Sequence, residues 1–312
     1  MSKFIKDHSL SVGYNNSGQE FFDIINNYKK YIHSYFLSLT EDMMLKSYNK
    51  EEVISTLKKC NTFDVPSNVL FNIKTNKENI IFILNEIKNI INLQGITLLD
   101  PSFAHDIKEL FPQLEIHLSV RFFDWNSKSP NQLIDELKQN KYYDIIDVIN
   151  ISGSQSYTDH LLIKKIKDLG IQTKLIVNES CIVNRSENYR HFEGFETANC
   201  SFGKCDKKCK DIIKKYPWMV LSKINMLKEM IQYYDIDILK ISSRTINNDL
   251  LKFLLDYWTS DDGTSINNPL ANIDFSKNYD LFLQWIAIRS YCKNDCFNCR
   301  LCEKFYNEFL EL

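Results

Sequence analysis

The stretch "DVINISGSQSYTDHLLIKKIKDLGIQTKLIVNES", residues 147–180, contains one complete unit of the pattern that decides the fold. A short apolar, β-rich run (147–152) comes first, and a second such run (173–180) ends the stretch. Between them, residues 157–170 carry apolar side chains at i, i+3 and i+4 spacing, which is typical of an amphipathic helix. A strand, a helix and another strand in this order predict two parallel strands joined by a right-handed crossover.

The same unit repeats along the chain. Helical patterns also occur at 19–31, 76–93 and 130–140, each between two apolar runs. The β-rich runs lie at 9–15, 32–39, 68–73, 95–100, 114–120, 147–152, 173–180 and 237–243. Eight units in about 260 residues favour an α/β fold of the (β/α)8 barrel type. A doubly wound open sheet is the alternative, but the turn "VGYNNSGQEF" after the first run lacks the G-x-G-x-x-G spacing.

Two segments interrupt the strand–helix repeat, and they predict the domain organisation. A cysteine-rich insertion, 181–221, follows the seventh run, and we expect it to belong to a barrel that occupies residues 1–258. A polar linker with glycine and proline begins at residue 259. We expect residues 259–312 to form this linker and a small cysteine-rich helical extension that ends in a short helix.

Composition narrows the class of protein. The chain has 312 residues, of which 44% are hydrophobic and 25% charged, with a net charge of −2. This balance indicates a globular protein with a sizeable core, and it lacks the excess of basic residues that is typical of nucleic-acid-binding proteins. We find neither a signal peptide nor a membrane-spanning run, so we expect a cytoplasmic protein. Nine cysteines in a reducing compartment favour metal or redox chemistry over structural disulfides.

Eight of the nine cysteines form two groups, and Cys60 stands apart on a predicted helix as an ordinary buried thiol. The first group consists of Cys181, Cys200, Cys205 and Cys209. The second group consists of Cys292, Cys296, Cys299 and Cys302. Spacings of two to four residues bring consecutive thiolates to one metal ion or cluster. The second group lacks the long loop between cysteine pairs that zinc sites have, so we predict a 4Fe-4S cluster, with zinc as the alternative.

Other cysteine chemistries fit the sequence less well. The C-x3-C-x2-C spacing at 292–299 matches the radical S-adenosylmethionine signature, but that signature follows the first barrel strand and has an aromatic residue where Asn298 stands. A peptidase pair of Cys181 and His191 conflicts with a cluster, because a cysteine that binds a cluster is not a free nucleophile. The chain has neither H-E-x-x-H nor G-x-S-x-G.

Two segments near the end of the predicted barrel resemble the collagenase-like peptidase family, family thirty-two of the peptidases of unknown type. They are the strand "DILKISSR", from Asp237 to Arg244, and the segment "NESC", from Asn178 to Cys181, followed by His191. The resemblance implies a TIM-like barrel with a 4Fe-4S cluster on the first cysteine group. It also implies oxygen-independent hydroxylation of ubiquinone precursors or RNA bases, an electron donor and a related partner subunit. Ser242 and Ser243 depart from the family's K-I-x-G-R element.

The candidate site lies where the seventh and eighth strands end, because barrel enzymes react at the carboxyl ends of their strands. Lys240 and Arg244 are four residues apart on one strand, so we expect both to face one side and to hold an anionic substrate or a carboxylate cofactor. In the alternative, Lys240 forms an ion pair with Asp237 or Glu179. Candidate site residues are Lys240, Arg244, Glu179 and His191 for catalysis, and Asn178 for cofactor binding.

These observations predict a cytoplasmic iron–sulfur TIM barrel that modifies a small molecule, a nucleoside or a peptide by redox chemistry. Two clusters suit electron transfer, one near the substrate and one receiving electrons at the surface. The alternatives are a zinc-stapled, non-catalytic binding or scaffold barrel and a peptidase.

Overall fold

Eight parallel strands form a closed barrel, in sequential order, in the computed structural model of the chain. The residues described are 9–38, 50–60, 65–71, 76–89, 92–120, 122, 130–151, 160–177, 231, 234–242, 247–259, 267–268, 273–274, 280–281, 284 and 301–310. The strands are β1 Leu10–Gly13, β2 Ile32–Ser38, β3 Ser67–Phe71, β4 Leu93–Leu98, β5 Glu115–Leu118, β6 Val148–Ile151, β7 Gln172–Ile176 and β8 Ile238–Ile241. All eight coincide with the predicted runs, so the barrel is confirmed and the open sheet was the wrong alternative.

Helices connect the strands. Each of the first six strands is followed by a helix before the next strand, and β8 is followed by one more. They are α1 Gln19–Asn27, α2 Lys50–Cys60, α3 Lys77–Ile87, α4 Ala104–Leu110, α5 Pro130–Gln139, α6 His160–Asp168 and α7 Asn248–Thr259. Among the described helices, none has the length and apolar character that crossing a membrane requires.

The main hydrophobic core lies between the barrel and its helices. In α6, Leu162, Ile163 and Ile166 are buried, because their spacing brings them to one face of the helix. They belong to one apolar cluster that also contains the outward-facing strand residues Ile149 and Leu175. The apolar residues at alternate strand positions thus cover the outside of the barrel, and the remaining positions face its interior.

The barrel closes where β1 pairs with β8, and polar contacts join the same two ends of the chain. Tyr28, at the end of α1, donates a hydrogen bond of 2.5 Å to Asp256 Oδ1 on α7. At the opposite end of α7, Asn248 Oδ1 accepts hydrogen bonds from Asn15 at 2.7 Å and from Ser17 at 2.9 Å. The first and last helices of the barrel, α1 and α7, are therefore fixed to each other at both ends.

Beyond α7, the described residues form short elements. Strands β9 (Asn267–Asn268) and β10 (Ile273–Asp274) pair as an antiparallel ladder. Helix α8, Leu301–Leu310, lies where the sequence predicts a final short helix. The division of the chain at residues 258 and 259 stays a prediction.

Candidate functional site inside the barrel

The pairing of the strands identifies the side chains that point into the barrel. Residues paired across parallel strands share a face, so the pairing of Lys240 with Ser11 and of Ser11 with Ser34 places all three inside. Continued round the barrel by the same rule, the inner face carries the polar or small residues Asn68, Gly95, Thr97, His117, Asn150 and Lys174 and the apolar residues Phe36, Leu70, Val148, Ile176 and Ile238. The apolar cluster beneath the helices contains the neighbouring residue Leu37 but not Phe36, in agreement with this assignment.

The inner residues form two central layers, each from alternate strands, as in other eight-stranded barrels. Ser11, Asn68, His117 and Lys174 come from β1, β3, β5 and β7 and form the lower layer. Phe36, Thr97, Asn150 and Lys240 come from β2, β4, β6 and β8 and form the upper layer. The upper layer is nearer the carboxyl ends of the strands, because Lys240 pairs with Ile176, two residues beyond Lys174 on β7.

The polarity of these layers is unusual for a barrel core. Branched aliphatic side chains dominate the interior of ordinary barrels. Here Lys174 and Lys240 are only 2% and 7% exposed, and Asn68, His117 and Asn150 are buried with them. Lysine is almost never fully buried unless it is paired, because removing its charge from water costs free energy. An interior of this kind indicates a site rather than packing alone.

His117 is the centre of the lower layer. Its Nδ1 atom lies 3.0 Å from the amide nitrogen of Asn68 and 3.2 Å from Nζ of Lys174, while its Nε2 atom lies 3.0 Å from Glu115 Oε2. Since Asn68 Oδ1 accepts a hydrogen bond from Thr97, its amide nitrogen must donate to the imidazole. His117 therefore carries its proton on Nε2, where the carboxylate of Glu115 accepts it, and Nδ1 is an acceptor.

Burial keeps His117 neutral even with a carboxylate beside it. Loss of solvation lowers the pKa of the imidazole well below its ordinary value, and the positive charges of Lys174, His33 and Lys240 lower it further. These effects outweigh Glu115, whose side chain is 33% exposed and therefore partly screened by water. The ring is thus a neutral hydrogen-bonding bridge between Glu115 and Lys174.

Lys174 is the least solvated cation of the interior. Burial lowers the pKa of its ammonium group to about 7, although the charge of Glu115 acts in the opposite direction. Within the described part of the chain, its one hydrogen-bond partner is His117 Nδ1. At neutral pH a substantial fraction of this side chain is therefore the free amine.

Lys240, a site residue expected from the sequence, lies in the upper layer. Its Nζ atom donates a hydrogen bond of 3.2 Å to Asn150 Oδ1 and stands 4.5 Å from the centre of the Phe36 ring. Asn150 is itself oriented by a 2.8 Å hydrogen bond from its amide to the backbone oxygen of Leu118. Asp237, one of the two ion-pair partners in the alternative, accepts hydrogen bonds from Thr173 and lies 3.6 Å from Nζ of Lys167, and the other, Glu179, lies outside the described residues.

Gly95 makes room for this network. A Cβ atom at this position would lie 2.8 Å from the backbone oxygen of Glu115 and 3.0 Å from the amide nitrogen of Asn68. Atoms do not approach so closely without a shift, so only glycine allows β4 to pass beside both groups. The amide that donates to His117 therefore occupies space that a side chain on β4 would fill.

The other predicted site residues lie outside the described residues. They are Asn178, Glu179, Cys181, His191, Cys200, Cys205, Cys209, Arg244, Cys292, Cys296 and Cys299. Cys302 is on α8, where only the backbone is described, and Cys60 is likewise at the end of α2. Among the described residues, no group of three or more histidine, cysteine, aspartate or glutamate side chains is placed to hold a metal ion. The cysteine sites stay predictions.

Sequence reasoning missed the lower layer and also Asn150 of the upper layer. Its signal was present in the predicted strands: Asn68, His117, Asn150 and Lys174 are polar residues at positions that alternate with Val, Ile and Leu. Such alternation ordinarily predicts a strand with one face in water. In a closed barrel the second face is the interior, so these residues should have been considered as a site.

Comparisons with known proteins identify no family for the chain. No protein-family model matches the chain, and no curated protein matches it. A solved mutant tryptophan synthase α-subunit from Pyrococcus furiosus is similar, with a TM-score of 0.47 and 13% identity, over 81% of this chain and 98% of that one. Phosphoribosyl anthranilate isomerase from Thermococcus kodakaraensis gives a TM-score of 0.42 and 11% identity, over 77% and 91% of the two chains.

A third similar structure is a mandelate racemase/muconate lactonizing family protein from Azoarcus sp. EbN1. Its TM-score is 0.42 and its identity 9%, over 64% of this chain. The chain spans half the length of that protein. Since no family model matches, the resemblance to the collagenase-like peptidase family stays a prediction from short motifs.

Proposed function

We propose that the protein is a TIM-barrel enzyme that modifies a small molecule, a nucleoside or a peptide by redox chemistry, with iron–sulfur clusters as cofactors. The observation that carries this proposal is the polar upper layer, in which Lys240 is held by Asn150 at the carboxyl side of the barrel interior. Barrel enzymes react at this end of the strands. A barrel used only as a scaffold gains nothing from a buried cation at this place.

The position of the first cysteine group supports a cofactor near this end. Strand β7 ends at Ile176, and the next residue, Val177, donates a backbone hydrogen bond of 3.0 Å to the oxygen of Lys240. Cys181 follows Val177 by four residues, a length of chain that spans at most about 14 Å. The segment that begins at the barrel mouth beside Lys240 therefore leads directly to the first of the predicted ligands.

The donor set suits iron–sulfur clusters. Thiolates are the usual ligands of such clusters, and each group offers four of them. Cys181, Cys200, Cys205 and Cys209 would hold one 4Fe-4S cluster, and Cys292, Cys296, Cys299 and Cys302 a second. When bound, the clusters would supply one-electron transfer. By resemblance, the reaction is of the oxygen-independent hydroxylation type and draws on an external electron donor and a related partner subunit.

The chain's own residues would bind and orient the substrate. The ammonium group of Lys240 would bind a carboxylate, phosphate or enolate oxygen, and Asn150 would fix its direction. Phe36 offers a flat apolar surface beside Lys240 for a planar substrate group. Arg244, Glu179, His191 and Asn178 are proposed as further groups at the mouth, because they follow β7 and β8 in the sequence.

Metal analysis of protein prepared without oxygen tests this proposal. We expect a brown protein that absorbs near ~400 nm and contains about eight irons per chain, from about four irons in each four-cysteine cluster. Variants Cys205→Ser and Cys299→Ser should each lose about half of the iron, which assigns one cluster to each group. A colourless protein with stoichiometric zinc contradicts the proposal and supports the scaffold instead.

A further inference from the structure

Lys174 has hydrogen-bonding capacity that the interior does not use. An ammonium group offers three donors, and in the described residues this one meets a single acceptor, the neutral Nδ1 atom of His117 at 3.2 Å. The side chain is 2% exposed, so bulk water does not solvate the remaining hydrogens. A buried ammonium group with one neutral acceptor is unfavourable, whereas a free amine in the same place is not.

The surroundings of Lys174 suit an amine that reacts. Lys240, in the layer above, is a second cation, and His117, in contact, is a neutral imidazole whose Nδ1 atom is a hydrogen-bond acceptor. The His117 ring is held by the Asn68 amide, which donates to the same Nδ1 atom, and by Glu115, which accepts the proton on Nε2. Burial in apolar surroundings is a condition under which lysine becomes a nucleophile at neutral pH.

We propose that Lys174 is an amine nucleophile that condenses with a small aldehyde or ketone inside the barrel to form an imine. The proposal rests on the contact between Lys174 and His117 and on the composition of the two layers. It does not depend on the iron–sulfur clusters. The substrate class is a carbonyl compound small enough to pass between the upper-layer side chains.

The condensation balances without an oxidant or a reductant. The lone pair of Nζ attacks the carbonyl carbon, a C–N bond forms and the C=O π electrons move to oxygen. His117 Nδ1 accepts a proton from the nitrogen and returns it to the oxygen, which gives a carbinolamine. The C–O bond then breaks, the second amine proton leaves with the hydroxyl group as water, and a C=N bond remains. The other ring proton of His117 stays on Nε2 throughout, hydrogen-bonded to Glu115.

Small residues of the interior lie on β1 and β2. Ser11 belongs to the same layer as Lys174, and the next inward position on β1, toward the mouth, is Gly13. Ser34, on β2, lies on the side of Ser11 away from the mouth, with its hydroxyl 3.3 Å from that of Ser11. The inward positions of β1 therefore carry no bulky side chain between the carboxyl end of this strand and the layer of the amine.

Reductive trapping tests the proposal. The folded protein is incubated with glycolaldehyde or pyruvate and sodium cyanoborohydride, and the modified lysines are mapped by peptide mass spectrometry. We expect Lys174 to be modified at least tenfold faster than the median of the exposed lysines. That preference should be equal in iron-loaded and iron-free protein, and it should vanish when the chain is unfolded in urea. Lys164, 63% exposed and paired with Asp168, provides the matched control.

Two variants complete the test. Lys174→Met should lose the fast adduct, whereas Lys164→Met should retain it. His117→Gln keeps the amine but removes the proton acceptor, so it should slow trapping at Lys174 about tenfold while leaving exposed lysines unchanged. Modification of exposed lysines alone in the folded wild type, or an unchanged fast adduct in Lys174→Met, would overturn the proposal.

Discussion

His117 and Lys174 contact each other inside the barrel, with Nδ1 of the imidazole 3.2 Å from Nζ of the lysine. Their strands, β5 and β7, are not adjacent, so the contact crosses the interior and exists only in the closed barrel. A neutral imidazole and a lysine of lowered pKa in one layer give the interior a titratable centre.

The first prediction concerns the pH dependence of stability. The pKa of Lys174 is about 7 in the folded chain and 10.5 without the fold, so the unfolded chain binds more protons between these values. Stability conferred by this group must therefore rise with pH from about 7 to 10.5. The free energy of unfolding of the wild type, minus that of Lys174→Met, should increase by about 1.4 kcal/mol per pH unit in this range.

Urea unfolding at several pH values measures this difference. Lys164→Met, at an exposed position, should give a difference that does not change with pH. A flat difference for Lys174→Met would show that the amine titrates normally in the folded protein, and a difference that falls as pH rises would show that its pKa is raised; either result contradicts the prediction.

The second prediction concerns the space that Gly95 leaves for Asn68. Gly95→Ala should destabilise the protein by about 1–3 kcal/mol, because the new methyl group meets the backbone of Glu115 and the Asn68 amide. Gly18→Ala provides the control: its φ of +65° carries backbone strain, but nothing lies within 4 Å of the new atom. Only Gly95→Ala should change the NMR signals of the His117 ring. Equal effects of both variants on that ring would contradict the assignment.

The third prediction concerns Asn150. Asn150→Leu should destabilise the protein by about 2–3 kcal/mol, because it leaves the ammonium group of Lys240 and the oxygen of Leu118 without this partner. Asn140→Leu should change stability by less than about 0.5 kcal/mol, since that amide bonds only a helix-end oxygen of Glu136 in an exposed place. Thermal unfolding of both variants measures these losses. Equal stability of Asn150→Leu and the wild type would show that the hydrogen bonds of Asn150 do not stabilise the fold.

The fourth prediction concerns the closure between α1 and α7. Tyr28→Phe and Asp256→Asn should each cost about 1 kcal/mol, and a double-mutant cycle should show that the two losses are not additive. Burial and the Asp256 hydrogen bond raise the pKa of Tyr28 to about 12, so the folded chain keeps a proton that the unfolded chain loses near 10. The contribution of Tyr28 to the free energy of unfolding should therefore be constant below pH 10 and fall between pH 10 and 12. Additive losses would mean that the pair is not coupled.

The sequence was sufficient for the barrel because strand and helix periodicity are local properties of the chain. In 147–180, both strands and the helix between them lie where the spacing of Val, Ile and Leu predicts them. The interior layers depend on register instead. Asn68 contacts His117, which is 49 residues away in the sequence. This contact depends on the register of β3, β4 and β5, which local periodicity does not reveal. Lys240 was identified from a motif, whereas Lys174, with no motif, was not.

Anomalous X-ray diffraction at the iron absorption edge, from crystals grown without oxygen, tests the central claim most directly. The account predicts an iron peak at the carboxyl face of the barrel, on the side of Lys240 and Ile176, with cysteine sulfurs around it. A peak at the zinc edge alone, or iron only at the opposite face beside Glu115, would contradict it.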